Sequence, residues 1–310
     1  MKKIIVSCFC LALILFPAIA QQKTIQERLG YSKDTRLLII HADDMGVSQS
    51  ENAASIYAME KGSVSSGSIM VPCPWMGDIA VYARSHPNAD LGLHLTLTSE
   101  WKNYKWGPVT PVNQVSSIAN KNGNLYSVPD SLYMHARPEE VEKEIRAQIE
   151  KAKLFGIDPT HFDAHMGCLF GTAEYIQLLI KMGREYKVPV LLNIEAFKAV
   201  FNIDISKYIS DKEVPVDKLF MAQPNDYKNG MSNYYTAIFK SLQPGLSCIL
   251  LHAAYENPEM QAVTIDHPEY GAAWRQADFN FFTSAECRNL LQQQKIKVIT
   301  WKEIRDKLFR

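Results

Sequence analysis

The chain has no net charge: 33 lysines and arginines are matched by 33 aspartates and glutamates. No basic cluster breaks that balance, which argues against a nucleic-acid partner. None of the six cysteines forms a CxxC pair, so a cysteine-built zinc site is excluded. Beyond the first twenty residues no apolar run is long enough to span a bilayer. Internal repeats, low-complexity tracts and flexible linkers are missing too, which argues for one domain.

What is present begins with a leader-like segment. "MKK" supplies a basic start, and "IIVSCFCLALILFPAIA" supplies an apolar stretch ending in small residues, with Ala18 and Ala20 at the positions a signal peptidase reads. Residues 1–20 are therefore expected to be a signal peptide, with Gln21 the mature N-terminus and the protein secreted or periplasmic. The competing reading is a membrane anchor, but the run is short for a span and the A-x-A ending favours cleavage. Cys73, Cys168, Cys248 and Cys287 would remain. Export permits a disulfide among them, and nothing in the spacing assigns one.

The mature stretch, residues 21–310, has the length of one α/β barrel. Short apolar, β-branched runs predict strands at 37–41, 66–71, 90–97, 160–165, 188–193, 219–222, 247–252 and 297–300. Helical patterns lie between them, at 52–61, 78–85, 138–155, 172–186 and 284–294, with a last short helix in "WKEIRDKLFR". The clearest is 138–155, which has Pro138 at its start, acidic residues in the first turn, an apolar stripe of Val141, Ile145, Ile149 and Leu154, and Gly156 as a stop. Alternation of strand and helix implies parallel pairing. The expected fold is a single distorted (β/α) barrel of about seven or eight parallel strands. Residues 101–134, rich in Asn, Pro, Ser, Gly and aromatics, interrupt the rhythm. They read as an insertion lying over the catalytic end of the barrel, or as a surface excursion with its own small cluster.

Four motifs fall at strand ends: "HADD" with Asp43 and Asp44, "DLGLHLTLT" with His94, "THFDAHMG" with His161, Asp163 and His165, and "CILLHAAYENPEM" with His252. In a parallel barrel all C-terminal strand ends face one mouth, so residues distant in sequence converge there. Adjacent carboxylates beside an imidazole repel each other unless a cation offsets them. One Asp and two His make a three-donor set that leaves open positions on a divalent ion. Any single histidine here is as readily explained as a hydrogen-bonded core residue; the joint pattern is what points to metal chemistry. His161, Asp163 and His165 share one strand face, since side chains repeat every second residue. His161 is nearest the strand start and is assigned to the barrel interior, and Asp163 to orienting a ligand. His86, His135 and His267 lie in apparent loops and are expected to be solvated.

Together, "HADDMG", "GLHLTLT", "THFDAHMG" and "LLHAAYENPEM" resemble the YdjC-like (ChbG/HpnK) carbohydrate deacetylase family, whose patterns read "ADDFG", "GLHLxLT", "THxDSHxH" and a late "HP". The resemblance runs from about Arg36 to the C-terminus. It implies a polysaccharide-deacetylase-like distorted barrel, one divalent ion (Zn2+ or Mg2+) held by Asp44, His94 and His165, Asp43 as general base, and His252 as general acid or transition-state stabiliser. It implies hydrolysis of the acetamide of N-acetylated sugars or chitooligosaccharide-like chains, and leaves a homodimer open. Three departures stand out: Met45 replaces the usual Phe, Met166 and Gly167 replace a histidine-rich run, and Ala253 follows His252 in place of Pro. Two rival readings are a non-catalytic carbohydrate-binding protein on a decayed scaffold and a carbohydrate O-acetyl esterase. Aromatic residues of the insertion (Trp101, Tyr104, Trp106, Tyr126, Tyr133), with Tyr255 and Trp274, are expected to stack on sugar rings.

Overall fold

The computed structural model describes residues 23–310, so the expected signal peptide lies outside the described residues. Among the described residues there are seven strands: β1 Arg36–Met45, β2 Ser66–Ile69, β3 Leu91–Leu95, β4 Phe162–Ala164, β5 Lys218–Met221, β6 Gly245–Leu251 and β7 Ile296–Val298. All pair in parallel, in the order β4-β3-β2-β1-β6-β5, and β7 pairs with the start of β1. The expected α/β fold of parallel strands is therefore what forms, as a distorted barrel with helices outside.

The distortion has a local cause. Residues 188–193 were expected to be a strand, but no ladder forms there. Phe162 and Val190 make an isolated bridge, and Leu192 carbonyl accepts from the N–H of Val216 at 2.8 Å. Pro189 lies in this segment and has no N–H to donate, which limits pairing to scattered bonds. Between β4 and β5 the wall is thus extended chain in place of a ladder.

β1 shows how the barrel acquires a chemical mouth. Leu37, Ile39, His41 and Asp43 lie on one face by the two-residue period. Leu37 and Ile39 join Leu246, Cys248, Trp301 and Ile304 in an apolar plug at the base. The other face, Leu38, Ile40 and Ala42, packs under the helices Gln49–Lys61 and Ala272–Thr283. One inward face therefore runs from an apolar floor to an ionic top.

The insertion packs into the main core and does not form a cluster of its own. Trp101, Trp106, Val115, Ile118, Leu125 and Leu132 are all buried in the cluster that holds β2, β3 and β4 side chains. Tyr104 reaches across the mouth, donating its hydroxyl to Val47 carbonyl at 2.6 Å. Cys73, Cys168, Cys248 and Cys287 are buried free thiols. Among the described residues, no helix is long and apolar enough to cross a membrane.

Candidate metal centre

Asp43 and Asp44 sit where the β1–β2 register slips between Ala42 and Met45. Such a bulge re-aims side chains. Asp44 adopts φ +64°, a left-handed conformation that Asp tolerates better than most residues, and Gly46 follows at +96°. His94 and Asp163 are register partners on β3 and β4, which puts them side by side on the inner face. His165 starts the short turn that ends β4.

These elements bring Asp44, His94 and His165 together. Asp44 Oδ1 lies 3.4 Å from His94 Nε2 and 3.2 Å from His165 Nδ1. Both separations are near the roughly 3.4 Å between neighbouring ligands around a tetrahedral ion with bonds of about 2.1 Å. Asp44 Oδ1 is buried and has no hydrogen-bond partner. A buried carboxylate oxygen left this way is costly unless a cation meets it. The donor set therefore fits a divalent ion. Each imidazole also has a carboxylate on its far nitrogen: Asp163 Oδ1 is 2.8 Å from His94 Nδ1, and Glu100 Oε2 is 2.9 Å from His165 Nε2.

Two other groupings have ligand-like spacing, His41/His161/Asp163 and Asp43/His94/Asp163. Their carboxylates and His41 are already engaged, although His161 Nε2 has no hydrogen-bond partner. Asp163 Oδ2 lies 3.0 Å from both His41 Nε2 and the Ser68 hydroxyl, and Asp43 Oδ1 lies 2.8 Å from His41 Nε2. Burial disfavours a charged His41, but Asp43 and Asp163 outweigh it and raise its pKa to about 10. His41 is then a buried imidazolium clamped between two carboxylates. Asp163 faces both it and His94, the orienting position expected for it. His161 lies in the interior as expected: its ring stacks on Trp301 and presses on Gly92, where a Cβ would fall 2.2 Å from the ring.

The fourth motif arrives from β6. His252 Nε2 is 3.9 Å from Asp44 Oδ2. Its backbone N–H donates to Asp278 Oδ2 at 3.1 Å. Burial pushes the His252 pKa down to about 4, with Arg275 acting in the same direction, so the ring is neutral near pH 7. Arg275 was not anticipated. It is buried, and its guanidinium donates to Asp44 Oδ2 at 2.8 Å and to Glu51 Oε2 at 2.9 Å. Burial opposes ionisation of Asp44, yet Arg275 and then His165 hold its carboxyl well below the usual range. Burial raises Glu51 to about 8 in spite of Arg275. His165 is likewise raised to about 10 against burial, by Glu100 and Asp44, and His94 is raised by Asp163 and Asp43. Ion binding must displace protons from those rings, since only neutral imidazole ligates.

Several expected contributors are corrected. Trp101, Trp106 and Trp274 are only 3%, 4% and 1% exposed and cannot present a face to a sugar. Trp274 is instead stacked on Tyr227, and Trp101 lies under the Arg275 guanidinium. Tyr133 is taken up by hydrogen bonds with Gly167 and Gly171. Trp75, on the loop after β2, is 38% exposed and was missed. Its backbone N–H bonds Gly46 carbonyl, at the mouth rim. Of the three histidines expected in loops, His86 and His135 are exposed, though His135 ends the helix Pro129–His135 and is not in a loop, whereas His267 is half-buried against Trp101. Glu100, Glu51 and Arg275 carry no motif. The only signal for Arg275 was a lone arginine inside an otherwise aromatic helical segment.

The family model described as YdjC-like protein matches residues 37–293. A "Carbohydrate deacetylase" of Thermus thermophilus is 29% identical over 288 residues, covering 91% of this chain and 98% of that protein. One from Brevibacillus brevis is 26% identical, covering 86% and 99%. A "Chitooligosaccharide deacetylase" of Serratia marcescens is 31% identical over 138 residues, covering 42% and 49%. A solved protein of Enterococcus faecalis V583, assigned only provisionally to cellobiose-phosphate cleavage, shares the fold with a TM-score of 0.71 at 20% identity, covering 87% and 99%.

Proposed function

Because this chain belongs to the YdjC-like protein family, we propose that it is a metal-dependent carbohydrate deacetylase acting on the acetamide of N-acetylated sugars. The observation that carries the metal dependence is the convergence of Asp44 Oδ1 with two imidazole nitrogens at ligand spacing in a buried pocket. The relatives named carbohydrate deacetylases support the reaction, and the Serratia protein supports chitooligosaccharide-like substrates.

A divalent ion at this position, zinc or magnesium, supplies Lewis-acid polarisation of a carbonyl and a more acidic water. Asp44, His94 and His165 would hold it, with Asp163 and Glu100 on the far nitrogens of the two imidazoles orienting each ring. Asp43 takes the proton of the attacking water; its Oδ1 is tied to His41, which aims the carboxylate. That proton then passes to the departing amine. His252 is neutral at rest, which suits it to donate an N–H hydrogen bond to the developing oxyanion. Of its two expected roles, transition-state stabiliser fits this state better than general acid. Trp75 offers the apolar platform for a pyranose ring. Secretion, from the leader-like residues 1–20, would place the reaction outside the cytoplasm.

The test is acetate release by purified protein from a panel containing chitobiose and other N-acetylated sugars, with and without a chelator. Chelator-sensitive release supports the proposal. Release from O-acetyl esters alone would make the protein an esterase, and sugar binding with no release from any substrate would make it a binding protein on an enzyme scaffold.

A further inference from the structure

The two imidazoles beside Asp44 present opposite ring nitrogens to it, His94 by Nε2 and His165 by Nδ1. A histidine ring can turn over about its terminal side-chain bond, so something must choose which nitrogen faces inward. For His94 the choice is made by Asp163, its register partner across two strands. His165 has no strand partner for this purpose, because it sits in the turn after β4, followed by two residues of positive φ, Met166 and Gly167. Its far nitrogen meets Glu100 instead.

The chain that leads into Glu100 is tied down by hydrogen bonds at Thr98 and Ser99. The Ser99 N–H donates to Tyr126 carbonyl at 2.7 Å, and Ser99 Oγ accepts from the Trp106 N–H at 3.1 Å. Trp106 Nε1 donates to Thr98 carbonyl at 2.9 Å, and its ring lies 6.2 Å from the His165 ring. Lys105 Nζ closes the loop on Ser99 carbonyl at 2.7 Å. The side chain of Glu100 is itself 13% exposed, buried enough to hold one position.

We propose that Glu100 is the positioning residue for His165: its carboxylate holds the Nε2 side of the ring, so that Nδ1 is the nitrogen turned toward the ion position beside Asp44. The folded start of the insertion is then part of the metal site as well as its cover. This assignment rests on the metal-site reading above, but it is tested by ion binding and does not need turnover.

The experiment is calorimetric titration of metal-free protein with Zn2+, with the absorption spectrum of the Co2+-loaded protein alongside, for wild type, Glu100→Gln and Glu100→Ala. Wild type should bind one ion. Glu100→Ala should bind roughly 10- to 100-fold more weakly, the usual effect of removing such a partner, with an altered Co2+ spectrum. Glu100→Gln keeps an oxygen that accepts from Nε2–H and should recover part of the affinity. It also serves as the test variant if the alanine protein fails to fold. A lower melting temperature with unchanged ion affinity and spectrum in both variants would give Glu100 a merely structural role and overturn the assignment. A wild-type protein that binds no divalent ion would overturn the metal site itself and this assignment with it.

Discussion

Asp44 gives one carboxylate oxygen to Arg275 at 2.8 Å, across 231 residues of sequence, and leaves the other facing His94 and His165. The guanidinium thereby selects which oxygen is free. It also carries Glu51 on its second nitrogen, so a buried cation sits between two buried carboxyl groups, of which Asp44 bears the charge at neutral pH. A pair of this kind contributes little net stability over an apolar replacement of the whole cluster, but removing one member strands the others.

Replacing Arg275 by Met should therefore destabilise the metal-free protein by about 3–5 kcal/mol, the range for breaking a buried ion pair. Glu51, already raised to about 8, is mostly protonated at pH 7 even beside the guanidinium, so the substitution strands chiefly the Asp44 charge, which favours the lower end. Urea unfolding at pH 7 measures this. A loss below about 1 kcal/mol would contradict the buried-pair account.

Substitutions at the centre should separate binding from turnover. Asp43→Asn is expected to keep the ion and lose ~10²–10⁴-fold in rate, the usual worth of a positioned base. His94→Ala and His165→Ala should lose the ion itself, as elemental analysis would record. An Asp43→Asn protein with wild-type turnover would remove Asp43 from the reaction.

His41 predicts a pH dependence of stability in the metal-free protein. Its pKa is raised from 6.5 to about 10 on folding, so its contribution is fully present below 6.5 and is lost as pH rises through about 10. The advantage of wild type over His41→Asn should be largest near pH 6 and shrink toward pH 10. Denaturant titrations at the two pH values decide this, and a constant difference would mean that His41 is not charged.

Trp75 predicts a binding effect confined to sugar recognition. Trp75→Ala should raise KM for a disaccharide roughly two- to tenfold, equivalent to ~0.5–1.5 kcal/mol of ring contact, while kcat and ion content stay near wild type. If KM does not move, Trp75 is no part of the sugar site.

Local pattern carried much of what the structure contains. The inward face of β1, the strand-end position of each motif and the helix beginning at Pro138 follow from periods of 2 and 3.6 and from end residues, which neighbours in sequence decide. Residues 188–193 misled because their apolar run has strand composition while Pro189 withholds a ladder donor. The aromatics misled for another reason. Composition marks Trp101, Trp106 and Trp274 as large and apolar, but whether such a ring is covered depends on what folds over it.

The sequence by itself determined the parallel α/β class and the strand-end positions of Asp43, Asp44, His94, His165 and His252, because those residues lie in short motifs at the ends of apolar runs; their grouping into one site came from the resemblance to the YdjC-like family. Tertiary structure alone decided what surrounds them. Arg275 and Glu51 come from two helices far apart in the chain, and Glu100 comes from the end of a strand loop. Nothing in local spacing encodes such meetings. They exist because the curl of the sheet and the packing of helices over β1 leave one small volume in which those charges must satisfy one another.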